Sequence, residues 1–225
     1  CLYIGGYLLN LTSNRINSVQ KFNGISWSAT TSLNVAKYST AACGPKNATL
    51  LIGGSSSTVP FACLSETEKF NGTTWTSGPN LNTARLSSAA IGSTYNAAVA
   101  IGGATNGGSF SIQMEKFNGA VWSNAGNILN VYGLSATGSP NNGLIFGGIS
   151  SSGPVTNISQ RYNGATVSAT SSLNVARFGA SAGTQNSSLI VTSTSEVFGC
   201  RMLGLSNAVT VSATNYKNGL ITRYF

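Results

Sequence analysis

Residues 50–85 carry LLIGG at Leu50–Gly54, EKFNG at Glu68–Gly72, then Trp75, Leu81-Asn82 and Arg85. The same markers return in the same order along the chain. Double glycines stand at Gly5-Gly6, Gly53-Gly54, Gly102-Gly103 and Gly147-Gly148, spaced 48, 49 and 45 residues apart. Each follows a short apolar run ending in Ile or Phe. KFNG also begins at Lys21 and Lys116, and RYNG begins at Arg161. Three residues after each motif come Trp27, Trp75 and Trp122, and in the fourth case Val167. Leu-Asn pairs at Leu33, Leu81, Leu129 and Leu173 precede Lys37, Arg85, Tyr132 and Arg177, read as one equivalent position. Self-similarity at such a period is the signature of a repeated supersecondary unit.

The local chemistry of the markers predicts strands and tight turns. Gly-Gly ends the second strand of each unit, where backbones approach closely or take positive φ. Asn-Gly between third and fourth strands predicts a type I′ hairpin turn. The flanking aromatic and Trp predict packing between neighbouring units. Expected strands lie near 2–6, 16–23 and 25–29; 38–44, 49–54, 63–70 and 73–77; 86–92, 97–103, 110–117 and 120–124; and 132–138, 143–148, 156–162 and 165–169. Four short strands per unit form a twisted sheet, and such sheets pack face to face around an axis.

This order of apolar strand, Gly-Gly, aromatic, Trp and Arg resembles the Kelch repeat, over four repeats and about 190 residues. The chain departs from the family in having Phe-Asn where Tyr-Asp is common, and Asn where Pro often precedes Arg. The resemblance implies an all-β, Kelch-type β-propeller of four-stranded antiparallel blades. Residues 1–225 then form a single domain, with repeats near 2–48, 49–96, 97–142 and 143–187 and a degenerate fifth at 188–225. About five blades are expected, or six or seven if the chain is part of a larger propeller. Within the fifth unit, Glu196-Val197-Phe198-Gly199 is a shortened relic of EKFNG. Val211-Ser-Ala-Thr and Asn218-Gly-Leu-Ile221 echo Leu134-Ser-Ala-Thr and Asn142-Gly-Leu-Ile145, so 208–225 reads as a first- and second-strand hairpin. The first repeat lacks its own first strand, which the tail would supply with one strand left over. Three outcomes are open: ring closure within the chain, a larger propeller, or strand exchange with a second molecule.

Composition narrows function. Charged residues are only 7% of the chain, so Ser, Thr, Asn and Gly must build the polar surface. There is no His, and the acids are Glu66, Glu68, Glu115 and Glu196, so Asp is missing too. His-based nucleophile systems and imidazole metal sites are thereby excluded. No enzyme activity, cofactor or metal is expected. A copper oxidase occurs among Kelch folds, but its His ligands have no counterpart here. The net charge of +8 arises from scarce acids, with six Lys and six Arg scattered singly, which supports no specific nucleic-acid contact. No stretch approaches the roughly 18 apolar residues of a membrane span. The opening at Cys1, without an initiator Met, reads as a processed product or a fragment.

Three groups of candidate residues follow. Lys37, Arg85, Tyr132 and Arg177 would ring the face bearing the longer loops and meet an acidic, glycan or protein ligand; alternatively each ties its own loop to carbonyls or a strand Glu. Asn10, Asn47, Asn71, Asn157 and Asn186 stand in Asn-X-Ser/Thr sequons, as glycan acceptors in a secretory route. A chain this rich in Asn, Ser and Thr also produces such sequons by chance. Cys1, Cys43, Cys63 and Cys200 lack CxxC spacing and either form disulfides or remain buried thiols. The function expected first is a structural or adhesive module of an extracellular, virion-surface or filamentous assembly, self-associating through its spare strand. The second is a carbohydrate- or protein-binding propeller.

Overall fold

The computed structural model describes residues 1–7, 15–56, 62–129, 131–150 and 153–178, and their regular structure is entirely β. β1 (Leu2–Tyr7), β2 (Arg15–Phe22) and β3 (Trp27–Thr30) form a three-stranded sheet. β4 (Ala41–Cys43), β5 (Thr49–Ile52), β6 (Thr67–Phe70) and β7 (Trp75–Gly78) make the first four-stranded sheet. The next holds β8 (Ala89–Thr94), β9 (Ala97–Ile101), β10 (Gln113–Phe117) and β11 (Trp122–Asn127). After β12 (Val131–Tyr132) come β13 (Ser135–Ser139), β14 (Asn142–Phe146), β15 (Ile149–Ser150), β16 (Ser159–Tyr162) and β17 (Val167–Ala169). β13, β14, β16 and β17 complete another sheet, while β12 pairs with β15 outside it. Every pairing is antiparallel, in the consecutive order of propeller blades. We refer to these sheets as blades one to four.

The blade strands overlap the expected stretches, but their bounds differ by a few residues, and β1, β3, β7, β8, β11 and β13 run past the expected C-terminal ends. The blades pack through their faces. Leu51, Phe70 and Trp75 of blade two bury against Val19 and Leu33. Phe117 and Trp122 of blade three cover Leu50, Ile52 and Cys43 of blade two. Leu134, Ile145 and Tyr162 of blade four close over Ile91, Val99 and Met114. Phe70 and Trp75 stack at 4.8 Å between ring centroids, and Phe117 and Trp122 at 5.0 Å. These aromatic pairs are inter-blade core, since Trp75 and Trp122 are almost fully buried. Burial on this scale stabilises each Trp by a few kcal/mol.

Gly53 and Gly54 show why the double glycine recurs. Their φ angles are +57° and +97°, and a Cβ on Gly53 would stand 2.3 Å from the Arg85 carbonyl oxygen. That close approach lets Gly54 N–H donate to the same carbonyl at 2.9 Å.

The Asn-Gly turns differ from the type I′ expectation. Type I′ needs positive φ at both central residues. Here Gly24, Gly72, Gly119 and Gly164 have φ of +113°, +101°, +101° and +97°, but the residue after each does not share it. The Asn lies one place earlier, outside the loop's two central residues. Its side chain caps the turn: Asn23 Oδ1 accepts from the amides of Ile25 and Ser26 at 2.8 and 2.9 Å. Asn71, Asn118 and Asn163 repeat this arrangement.

Candidate functional site

Charged side chains enter the molecule at one place in the repeat. Lys37 and Arg85 lie in the connections leading into blades two and three, and both are buried at about 1% exposure or less. Their backbones hold the preceding blade, because Gly6 N–H donates to Lys37 O at 3.0 Å and Gly54 N–H to Arg85 O. Their side chains reach the third strand of the following blade. Arg85 Nη2 meets Glu115 Oε1 at 2.6 Å, and Lys37 Nζ lies 2.8 Å from Glu68 Oε1. Each cation is thus a tie between two blades. The expectation that Lys37 and Arg85 ring a ligand-binding face is corrected, because a buried cation must turn towards its counter-charge rather than solvent.

The Arg85 guanidinium makes three further hydrogen bonds besides the one to Glu115. Nη1 donates to Gly102 O at 2.8 Å and Gln113 O at 3.0 Å, and Nε donates to Thr83 O at 3.3 Å. Glu115 also accepts from the amides of Asn82 and Thr83 at 2.7 and 3.1 Å. The Lys37 tie is looser. Glu68 Oε2 accepts from Asn34 N–H at 2.9 Å, but Oε1 faces the ammonium without hydrogen-bond alignment. The 2.8 Å separation still makes that contact an ion pair, held by charge rather than by a directed bond. A second carboxylate, Glu66, stands 3.8 Å from the same Lys37 Nζ with its side chain about half exposed.

Beside this looser tie is a cavity of about 250 Å³, lined by Glu66, Glu68, Thr67, Ser77, Asn80 and Val35 among others. Two carboxylates and one ammonium leave it a local charge of −1, in a chain whose net charge is +8. The pocket can take hydroxyls or a cationic group through Glu66. Sequence reasoning did not single it out, although Glu66 and Glu68, two residues apart in a chain with four acids, are a visible signal.

In blade four the tie is neutral. Leu129 N–H donates to Gln160 Oε1 at 2.7 Å, in the place of the Asn34 and Asn82 amides. That register corrects the sequence alignment by one residue. Ile128 is buried at 4% like Leu33 and Leu81, while Leu129 is 50% exposed. Bridge pairs Tyr38–Ser55, Leu86–Ala104 and Tyr132–Ile149 place Tyr132 with Tyr38 and Leu86. Val131, not Tyr132, therefore matches Lys37 and Arg85 along the backbone. The side chain of Tyr132 lies outside what is described. Arg177 is half-buried, and its carbonyl accepts Gly148 N–H at 2.8 Å, as the repeat requires.

The first residue of KFNG has its own role, which sequence reasoning also left unassigned. Lys69 Nζ donates to Asn96 Oδ1 at 3.2 Å and Gly119 O at 3.3 Å of the next blade. Lys116 does the same to Asn141 Oδ1 at 2.9 Å and Gly164 O at 3.2 Å. Recurrence of a cation in so thinly charged a chain was the available signal.

Cys43 and Cys63 carry thiols, so their assignment as disulfide candidates is corrected. Cys43 is buried in β4, and Cys63 Sγ lies 3.3 Å from Ala104 O. Burial pushes the Cys63 thiol above its ordinary value. Cys1 is disulfide-bonded, and Cys200 lies outside the described residues. Among the sequons, Asn47 and Asn71 are exposed in turns, and Asn157 is exposed while donating Nδ2 to Leu173 O at 3.1 Å. Asn10 and Asn186 lie outside the described residues. Among the described residues no helix is long and apolar enough to cross a membrane.

No family model matches the sequence, and no curated protein matches it. Among solved structures, that of YjhT is similar, with a TM-score of 0.63 at 13% identity over 78% of this chain. This chain covers 66% of the YjhT chain, just under two thirds of its length. At that identity the likeness concerns fold alone, and it agrees with the bladed all-β architecture.

Proposed function

We propose that this chain is a non-enzymatic Kelch-type propeller serving as a structural or adhesive module of an extracellular, virion-surface or filamentous assembly. The observation that carries this reading is where the charge goes. Glu68 and Glu115, half of the four acids, are buried against Lys37 and Arg85, and Lys69 and Lys116 bind neighbouring turns. These six side chains are spent on holding blades together. The outer surface is left to Ser, Thr, Asn and Gly, displayed on short rigid hairpins. Loops carried by such a scaffold are suited to display and contact.

Electron micrographs of the purified chain test this reading: filaments, particles or ordered arrays support it, and a dispersed monomer that binds nothing overturns it. A second reading is favoured by the cavity at Glu66, a polar recess that suits a hydroxyl-rich or cationic ligand. It makes the chain a carbohydrate- or protein-binding module. A glycan array giving specific hits, abolished by Glu66→Ala, would select it over the first.

A further inference from the structure

We propose that the end of the molecule bearing the Asn-Gly turns is a binding face for an acidic polysaccharide, a sugar polymer with sulfate or carboxylate groups at wide intervals. Lys21, Lys69, Lys116 and Arg161 each stand next to the aromatic that closes such a turn, in the strand leading into it. Lys46 joins them in the turn between β4 and β5, where a Cβ on Gly72 would stand 3.1 Å from that of Asn47. Cations scattered singly along the sequence are thus gathered at one end by the repeat.

No acid balances them there among the described residues. Glu68 and Glu115 are buried against Lys37 and Arg85, and Glu66 lies beyond the other end of β6. The turn face therefore carries positive charge without a carboxylate, and a surface of one sign draws in polyanions.

The face is also held in place. Lys69 Nζ is fixed by Asn96 Oδ1 and Gly119 O, and Lys116 Nζ by Asn141 Oδ1 and Gly164 O. These bonds use two of the three N–H groups of each ammonium and leave one to meet an anion. Fixing the side chain beforehand lowers the ordering cost of binding. Lys46 and Arg161 are exposed. Across the strand from each of the four turn cations is an exposed hydroxyl, as with Thr76 opposite Lys69 and Ser123 opposite Lys116. A cation beside a hydroxyl, repeated blade after blade, suits a polymer whose anions alternate with sugar hydroxyls.

Spacing decides against nucleic acid. Stacked sheets lie about 10 Å apart, so the turn cations recur at steps of that order or wider. A nucleic-acid strand carries a charge about every 3.4 Å and would leave most phosphates unmatched. A polysaccharide charged once per disaccharide presents its anions at wide steps. The Asn-Gly turns themselves, 23–26, 71–74, 118–121 and 163–166, carry no aromatic side chain for bases to stack on.

The proposal rests on neither functional reading, since filament formation and glycan hits lost with Glu66→Ala are measured separately. Its test is the anisotropy of fluorescein-labelled chondroitin sulfate titrated with the full chain at low and at physiological salt. Saturable binding that weakens as salt rises is expected, with none to neutral dextran of the same length. Arg161→Gln should weaken binding about two- to fivefold, and adding Lys46→Gln should bring the loss to about tenfold, with the thermal melt unchanged. Arg15→Gln removes the same charge at the opposite end of β2 and should leave the affinity as it was. Equal losses from Arg161→Gln and Arg15→Gln would reduce the effect to net charge and overturn the proposal. So would equal binding of dextran, no binding at low salt, or tighter binding of poly(dT) or phosphatidylserine vesicles than of chondroitin sulfate.

Discussion

Arg85 and Lys37 occupy the same place in adjacent repeats, yet they close their sites to different degrees. The guanidinium has five donors in a planar fork. It bonds Glu115 and three carbonyls at once, and it is fully buried. The ammonium is a compact charge with three donors. It neutralises Glu68 and lies 3.8 Å from Glu66, leaving the 250 Å³ cavity beside it. The substitution of one cation for another thus separates a sealed structural tie from one that carries a recess. Blade four shows that the tie can be made without charge, through Gln160 and the Leu129 amide.

The sharpest way to break the comparison is Arg85→Ala, which strands the buried Glu115 carboxylate. Urea unfolding should show a loss of about 3–5 kcal/mol, larger than any other single change at these ties. Converting the same tie to the blade-four solution, with Arg85→Val and Glu115→Gln together, should recover much of that loss. A double-mutant cycle should give a coupling of about 1–3 kcal/mol, and strict additivity would contradict the pairing.

Trp122→Phe and Trp75→Phe compare two otherwise similar inter-blade aromatics. Trp122 Nε1 has Pro79 O as its acceptor, whereas Trp75 Nε1 is buried without one. The Trp122 variant should lose about 1 kcal/mol more stability than the Trp75 variant in parallel denaturant titrations. Lys37→Arg asks whether the looser tie can be sealed. The counterparts of Gly102 O and Gln113 O are Gly53 O and Glu66 O, so the larger fork should gain bonds and shrink the cavity. A stabilisation of about 0.5–1.5 kcal/mol is expected, and a crystal structure would show the recess filled. Glu66→Gln should have the smallest effect, within about 0.5 kcal/mol of the wild type, because half of that side chain is already in water.

Much of the fold was legible in the chain because its information is local and repeated. Gly53-Gly54, Phe70, Asn71-Gly72 and Trp75 each act through short-range backbone or packing constraints, and four copies in register place the strands. The turn subtype was not legible, since Asn-Gly can put Asn inside the two-residue loop or one place before it. Cross-strand register decides between them, with Phe70 opposite Trp75. The candidate site was less legible still. Lys37 and Arg85 were recognisable as one repeating position, but a sequence period does not reveal whether a side chain faces water or the neighbouring blade.

By itself the sequence determined the repeat, the all-β class, the inter-blade role of its aromatics and the absence of His and Asp. The tertiary structure decided that the cations turn inward, that Ile128 rather than Leu129 enters the core, and that the recess lies beside Glu66. The physical reason is the same in each case. Backbone preferences act over a few residues and are written locally, whereas burial and charge pairing depend on which residues of the next blade arrive opposite.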